Sequence, residues 1–141
     1  MVCLGNICRS PLAEGIMKHQ AAASGLNWEI DSAGTGNWHV GEAPDRRSIR
    51  TARNHGIDIS KQICRLFEAD DFDYFDYIYV MDKNNLSDVL AMARNEQDAE
   101  KVKLLLGDKV VPDPYHDDSR FEPVFELIEG GCKDIIRGLL K

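Results

Sequence analysis

The stretch of sequence that decides the fold lies near the N-terminus and reads Cys3-Leu4-Gly5-Asn6-Ile7-Cys8-Arg9-Ser10-Pro11. Ser10 followed by Pro11 is typical of a helix start, with the serine as N-cap and the proline in the first helical position. Gly5 and Asn6, just before it, are the residues that most readily adopt a positive φ. The stretch therefore predicts a tight loop, residues 3–10, that joins a strand to a helix.

A loop of this length can gather its backbone N–H groups around one point. The positive N-terminal end of the following helix adds to them, and Arg9 can bind two oxygens of an anion at once. The same groups favour the thiolate form of Cys3 and make it nucleophilic. We therefore predict a phosphate-sized anion site in which Cys3 attacks phosphorus and the Ser10 hydroxyl donates to the departing sulfur. The Gly-Lys-Ser/Thr signature of nucleotide-binding loops is absent.

Outside loop 3–10 the sequence alternates between strand and helix patterns. Short apolar runs predict three further strands, at residues 28–32, 77–81 and 109–111. Helix signals predict helices that begin at Ser10, Asp45 and Asp82, a helical piece that ends at Gly107, and a last helix that carries residues 125–139. This alternation is typical of a parallel sheet with helices on both faces, an α/β fold. No linker or repeat interrupts the chain, so residues 1–141 are predicted to form one domain.

The composition excludes several classes of protein. The 141 residues carry 17 Lys+Arg and 24 Asp+Glu, a formal net charge of −7, and no basic stripe, so no nucleic-acid partner is predicted. No apolar run approaches the length of a membrane span, and the N-terminus does not resemble a secretory signal. We therefore expect a cytoplasmic, reducing environment for the four cysteines. Their spacing does not suit zinc.

Loop 3–10 resembles the signature loop of the low-molecular-weight protein tyrosine phosphatases. Further agreement covers nearly the whole chain, at residues 31–34, Trp38, residues 55–57, residues 81–82 and residues 113–115. The resemblance implies a four-stranded parallel sheet in the order 2-1-3-4 and an enzyme that hydrolyses phosphotyrosine or other aryl phosphates through a cysteinyl-phosphate intermediate. It also implies that phosphotyrosine-containing proteins are the partners and that neither a metal nor an organic cofactor is needed. It leaves the oligomeric state open.

Three residues are the catalytic candidates: Cys3 as nucleophile, Arg9 as the cation that binds phosphate, and Asp113 as general acid. A phenolate leaves badly, so its oxygen needs a proton, and the same carboxylate would then activate water. Pro112 and Pro114 stiffen the turn around Asp113. Because the carboxyl ends of parallel strands meet at one edge of the sheet, Asp113 and Cys3 can meet there.

The resemblance also assigns roles to the residues around these three. The loop residues that would surround the phosphate are Leu4, Gly5, Asn6, Ile7, Cys8 and Ser10. Trp38 and Tyr115 would line the pocket together with Leu4 and Ile7. Ser32 would hold loop 3–10, and Asp82 would orient Arg9 while it caps a helix. Cys8 would also be the redox partner of Cys3, because a nearby thiol can trap an oxidised cysteine.

Three other functions remain open. An arsenate reductase on the same fold needs further cysteines for a disulfide relay, and none lies between Cys64 and Cys132. A carrier domain phosphorylated on Cys3 needs neither Arg9 nor Asp113. An inactive phosphotyrosine-binding module is compatible with the sequence, and only a turnover assay separates it from an enzyme.

Two positions depart from the pattern of the family. Tyr115 is followed by His116, where the family often has two adjacent tyrosines. Only Met1 and Val2 precede Cys3, where related chains place a hydrophobic strand in the middle of the sheet. Two residues are too few for a typical strand, so the first strand is expected to be truncated here. We expect the natural protein to begin several residues upstream, with Met1 inside the strand.

Overall fold

The computed structural model describes residues 1–140, and its centre is one parallel sheet of short strands. The strands are β1 (Val2–Cys3), β2 (Ala33–Gly34), β3 (Ile78–Val80) and β4 (Val102–Leu104). Their order is β2-β1-β3-β4, which confirms the predicted order. Val2 lies opposite both Ala33 and Val80, so β1 occupies the middle of the sheet.

Six helices surround this sheet: α1 (Arg9–Ala23), α2 (Arg46–Asn54), α3 (Asp71–Tyr74), α4 (Lys83–Met92), α5 (Glu96–Glu100) and α6 (Phe121–Leu139). Successive strand residues enter opposite apolar clusters, as the pleat requires. Val2 and Val80 pack with Val89 of α4, whereas Cys3 lies in the cluster that α1, α2 and α6 cover. The predicted arrangement of helices on both faces is therefore confirmed.

Local signals identified the helix boundaries correctly in three places. The Asp45 carboxylate accepts a hydrogen bond from the Arg47 N–H at 2.8 Å and caps α2. Asp82 caps α4 in a reciprocal capping box with Asn85. Gly56, at φ 78°, follows the end of α2. No helix within residues 1–140 is both long enough and apolar enough to cross a bilayer.

The predicted strand at residues 28–32 is wrong, because this segment is extended but forms no strand pairing. β2 begins one residue later, at Ala33, whose N–H donates to the Met1 carbonyl at 3.0 Å. The length of a strand is set by its partner as much as by its own residues. Here β1 offers only Val2 and Cys3, which lie opposite Ala33 and Gly34.

The last strand also lies elsewhere than predicted. β4 occupies residues 102–104, inside the expected helical piece, whereas residues 109–111 form no strand. The Val111 N–H instead donates to the Met81 carbonyl at 2.7 Å, at the end of β3. A run of three residues is too short for its periodicity to separate strand from helix.

Candidate active site

Loop 3–10 begins where β1 ends, at the carboxyl edge of the sheet. Of the two residues suited to a positive φ, only Asn6 adopts one, at 56°. Its side-chain oxygen accepts the Arg65 N–H at 3.0 Å, and its carbonyl accepts the Cys64 thiol at 2.7 Å. Gly34 lies beneath the loop, where a Cβ atom would stand 2.9 Å from the Leu4 carbonyl oxygen. These contacts hold the chain in a tight curl.

The carbonyl groups and the N–H groups of loop 3–10 differ in their hydrogen bonding. Its carbonyl groups point outward and bind the surrounding chain, and those that accept a hydrogen bond belong to Cys3, Leu4, Asn6, Ile7 and Cys8. Within residues 1–140, by contrast, no protein acceptor is present for the backbone N–H groups of residues 4–8. A curl with unpartnered N–H groups next to a helix N-terminus is an anion-binding site.

Cys3 is only 3% exposed, and its sulfur lies 3.0 Å from the Ser10 hydroxyl. The predicted capping role of Ser10 is wrong, because α1 begins at Arg9 with Cys8 in the N-cap position. The Ser10 hydroxyl is engaged by the Cys3 sulfur and by the Asn6 amide, which donates to it at 2.8 Å. The hydroxyl has two acceptors within reach of its own hydrogen, the Cys3 sulfur at 3.0 Å and the more distant Ala33 carbonyl at 3.5 Å.

A chain of hydrogen bonds continues from Asn6 away from the thiol. Its amide also donates to the Ser32 hydroxyl at 3.0 Å, and Ser32 donates to the buried Glu14 carboxylate at 2.7 Å. Glu14 was missed by the sequence analysis. The available signal was its position four residues after Ser10, which places both on the same face of α1. Because Ser32 donates its hydrogen to Glu14, the Ser32 oxygen accepts one hydrogen of the Asn6 amide, and the other hydrogen of that amide reaches Ser10.

Arg9 is buried at the start of α1 and makes two hydrogen bonds, both from Nη1. One reaches the Asp82 carboxylate at 2.7 Å and the other the Val111 carbonyl at 2.9 Å. Asp82 therefore both caps α4 and contacts Arg9, as its two expected roles require. Because Nη1 alone is occupied, Nε and Nη2 remain to bind two oxygens of one anion.

Asp113 lies on an exposed turn two residues beyond Val111. Its carboxylate accepts the Tyr115 N–H at 3.1 Å. Val111 is bonded to both Met81 and Arg9, so this turn starts beside the loop that carries Cys3. The turn brings the carboxyl group of Asp113 to the same edge of the sheet as the thiol.

The candidate pocket walls are among the exposed aromatic side chains. Trp38 is 66% exposed and Tyr115 is 40% exposed. The Trp38 ring lies over Gly36, where a Cβ atom would stand only 1.9 Å from the ring. Leu4 is also exposed, and Ile7 is partly buried. Leu4 and Ile7 belong to loop 3–10, and the Trp38 segment adjoins it, because the Gly36 N–H donates to the Leu4 carbonyl at 2.8 Å.

The other three cysteines are in environments that keep them protonated. Burial, together with the negative charge of Asp45, raises the pKa of Cys8 to about 12. Burial likewise raises the pKa of Cys64 to about 11 and that of Cys132 to about 12. All four cysteines are unpaired and buried. Thiols with such high pKa values are poor nucleophiles at neutral pH.

Two other features of residues 1–140 do not form a competing site. A cavity of about 460 Å³ lies between β3 and the segment that leads into β2, and neither Cys3, Arg9 nor Asp113 lines it. No group of three or more His, Cys, Asp or Glu side chains in the described chain is arranged to hold a metal ion. Loop 3–10, with Cys3 and Arg9, is therefore the candidate site.

A parallel α/β sheet with a cysteine–arginine anion loop at its carboxyl edge is an arrangement suited to phosphate chemistry at a thiol. Residues 1–141 match the family model described as low molecular weight phosphotyrosine protein phosphatase. The chain belongs to this family.

Relatives from distant organisms match nearly the whole chain. The phosphatase YfkJ of Bacillus subtilis is 40% identical over 149 residues, which cover 99% of this chain and 94% of YfkJ. Its crystal structure matches with a TM-score of 0.90, at 39% identity over 99% of this chain and 91% of that one. Low molecular weight phosphotyrosine protein phosphatase 1 of Drosophila melanogaster is 36% identical, over 100% of this chain and 96% of its own. The structure of an Entamoeba histolytica protein tyrosine phosphatase, with Hepes in the active site, has a TM-score of 0.92 at 35% identity, over 98% and 93% of the two chains.

Proposed function

We propose that this protein hydrolyses phosphotyrosine and other aryl phosphate monoesters through a cysteinyl-phosphate intermediate, with phosphotyrosine-containing proteins as its substrates. The observation that carries the proposal is the polarity of loop 3–10. In the described part of the chain, the N–H groups of residues 4–8 have no protein acceptor, most carbonyl groups of the loop are bonded outward, and the Cys3 thiol is buried in the same loop. Such a loop binds the phosphoryl oxygens and stabilises the charge that they carry in the transition state.

In the first step the Cys3 sulfur attacks the phosphorus atom and a sulfur–phosphorus bond forms. The bond between phosphorus and the phenolic oxygen breaks, and Asp113 gives its proton to the departing oxygen. In the second step the Asp113 carboxylate takes a proton from water, whose oxygen attacks phosphorus. The sulfur–phosphorus bond breaks, inorganic phosphate forms, and Cys3 leaves as a thiolate.

The surrounding side chains support both steps. Arg9 uses Nε and Nη2 for two phosphoryl oxygens, while Asp82 and the Val111 carbonyl hold Nη1. The Ser10 hydroxyl donates to the sulfur when it leaves, because the sulfur is the nearer of the two acceptors within its reach. A serine held in this way stabilises the thiolate leaving group.

The candidate pocket walls account for a preference for aryl phosphates. Leu4, Trp38 and Tyr115 are exposed apolar side chains, and Ile7 lies in the same loop. Apolar and aromatic walls favour a flat phenyl ring over a small polar alcohol. Phosphotyrosine is the protein side chain that presents such a ring.

The proposal is tested by turnover of para-nitrophenyl phosphate, followed as release of the phenolate. We expect the wild-type protein to be active and Cys3→Ser to lose more than about a thousandfold in kcat, since a serine is not ionised by the loop. Cys3→Ser should still bind inorganic phosphate in calorimetry, because the N–H groups and Arg9 remain. Cys132→Ala, a change in the core of α6, is the control and should keep its activity. A Cys3→Ser variant with a tenth of the wild-type rate would contradict the covalent mechanism.

A further inference from the structure

The turn that carries Asp113 is held to the rest of the protein by one side chain. Within residues 1–140, the segment 112–120 has two kinds of hydrogen bond to the rest of the chain: the Phe121 N–H at the start of α6 donates to the Asp118 carbonyl, and the others are donated by Arg47. Its Nη1 donates to the Tyr115 carbonyl at 2.8 Å and to the Asp118 carboxylate at 2.7 Å. Hydrogen bonds inside the segment include the one from the Tyr115 N–H to the Asp113 carboxylate.

Arg47 is itself fixed from its other side. Nε and Nη2 donate to the two oxygens of Asp45 at 3.0 and 2.9 Å. The guanidinium lies over the Phe121 ring at 4.6 Å and over the Tyr115 ring at 5.3 Å. Burial alone would oppose ionisation of Asp45, but the hydrogen bonds from Arg47 outweigh it and lower the pKa of the carboxyl group. Four donated hydrogen bonds and two aromatic rings leave the guanidinium little freedom.

The first turn of α2, which carries Arg47, also binds loop 3–10. The Asp45 N–H donates to the Ile7 carbonyl at 2.8 Å, and the Ser48 hydroxyl donates to the Cys8 carbonyl at 3.3 Å. The start of α2 is therefore a shared support, bonded on one side to the loop with the thiol and on the other to the turn with Asp113.

We propose that Arg47 is a positioning residue that holds the general acid Asp113 in register with Cys3, an inference that rests on the function proposed above. Arg47 touches neither the thiol nor the phosphate, so its loss leaves the anion site intact. Loss of Arg47 makes the turn at residues 112–118 more mobile. The rate of proton transfer then depends on the fraction of time that Asp113 spends in its catalytic position. A small misplacement of a catalytic group lowers a rate strongly.

A positioning role and a purely structural role of Arg47 lead to different expected effects of its substitution. The ion pair between Arg47 and Asp118 is exposed, and exposed pairs contribute little to stability. The effect should instead appear in the chemistry, and only where a leaving group needs a proton. Phenyl phosphate needs general acid catalysis, whereas 2,4-dinitrophenyl phosphate has a leaving group that departs without it.

The experiment compares Arg47→Gln with Arg50→Gln on both substrates. Arg50 is exposed on the same helix and has no ion-pair partner in the described residues, so it controls for the loss of charge. We expect Arg47→Gln to lower kcat for phenyl phosphate by about tenfold to a hundredfold and kcat for dinitrophenyl phosphate by less than about threefold. The inhibition constant of inorganic phosphate should stay within about twofold of wild type. Asp113→Asn should show the same split, and adding Arg47→Gln to it should have little further effect.

Asp118→Asn is a milder variant that keeps the bonds from Arg47 to Asp45 and Tyr115. It should show the same split between substrates with a smaller loss. Backbone order parameters of Asp113 and Tyr115, measured by NMR, should fall in Arg47→Gln and not in Arg50→Gln. An equal loss for both substrates, or unchanged order parameters, would overturn the role of Arg47. Absence of turnover in the wild-type protein would overturn the proposed function instead, and the order parameters would still decide whether Arg47 holds the turn.

Discussion

Cys3 and Cys8 are both buried thiols of loop 3–10, but their surroundings differ. The Cys3 sulfur has the Ser10 hydroxyl at 3.0 Å, whereas the Cys8 thiol is buried beside the negative charge of Asp45. Burial and that charge raise the pKa of Cys8 to about 12. At neutral pH Cys8 therefore remains a thiol and does not compete with Cys3 for an electrophile.

This difference predicts a pH-dependent redox reaction between the two residues. Peroxide should oxidise Cys3 to a sulfenic acid, and Cys8 should condense with it to a disulfide with loss of water. The attacking species is the Cys8 thiolate. Because neutral pH lies far below the pKa of Cys8, the thiolate fraction rises about tenfold per pH unit, and the condensation should accelerate by the same factor between pH 6 and 8. Added thiol should then restore activity. Peptide mapping after alkylation measures the pairing.

Cys8→Ser is the control for this reaction. Without the second thiol, peroxide should carry Cys3 on to the sulfinic acid, and thiol should no longer restore activity. A disulfide from Cys3 to Cys64 or Cys132 would show that Cys8 is not its partner.

Among the elements, α6 carries two adjacent glycines in different environments. Both interrupt a helix, where glycine costs about 1 kcal/mol relative to alanine. At Gly130, which is exposed, a Cβ atom would meet nothing within 4 Å. At Gly131, which is buried, it would stand 2.7 Å from a methyl group of Leu106 and 3.4 Å from Leu105. Gly131 thus allows α6 to pack closely against the segment after β4.

We expect Gly130→Ala to raise the free energy of unfolding by about 0.5–1 kcal/mol, because it gains helix propensity without a clash. Gly131→Ala gains the same propensity but must displace Leu106, so it should be less stable than Gly130→Ala. Urea denaturation of the two single variants beside wild type measures both changes. Equal stabilisation by the two substitutions would show that the packing at Gly131 is loose.

At the scale of the whole molecule, three thiols with raised pKa values couple stability to pH. Cys8, Cys64 and Cys132 have pKa values of about 12, 11 and 12 in the folded protein. Cysteine in an unfolded chain ionises near pH 8.5. Above that pH the unfolded chain releases protons that the folded protein retains, so rising pH favours unfolding.

The contribution of these three thiols should therefore be constant below about pH 8, and it should lower the stability as the pH rises from about 9 to 11. Each thiol can contribute at most about 1.4 kcal/mol per pH unit in this window. Cys132→Ala isolates one contribution: the variant loses packing in the core, but its stability should fall less steeply with pH. Urea denaturation at pH 7.5, 9 and 10.5 measures the difference. Parallel curves for the two proteins would mean that Cys132 does not contribute.

The sequence by itself determined the features that depend on local backbone geometry and on short-range chemistry. The curl of loop 3–10 follows from Asn6 and its neighbours, and the starts of α2 and α4 follow from Asp45 and Asp82, which bond residues two or three positions away. The strand β3 follows from an apolar run, because such a run has no stable place except in the core. From these elements the strand order was predicted through a family resemblance and confirmed.

Only the tertiary structure decided the features whose partners lie far along the chain. β2 and β4 take their limits from the strands beside them, so their own residues predicted them in the wrong places. Arg9 meets Asp82 across 73 residues and Arg47 meets Asp118 across 71. The residues next to a side chain in the sequence do not indicate which distant group that side chain will contact. The curl around Cys3 could therefore be predicted from residues 3–10, whereas the contacts of Glu14 and Arg47 became visible only when the fold had brought their partners together.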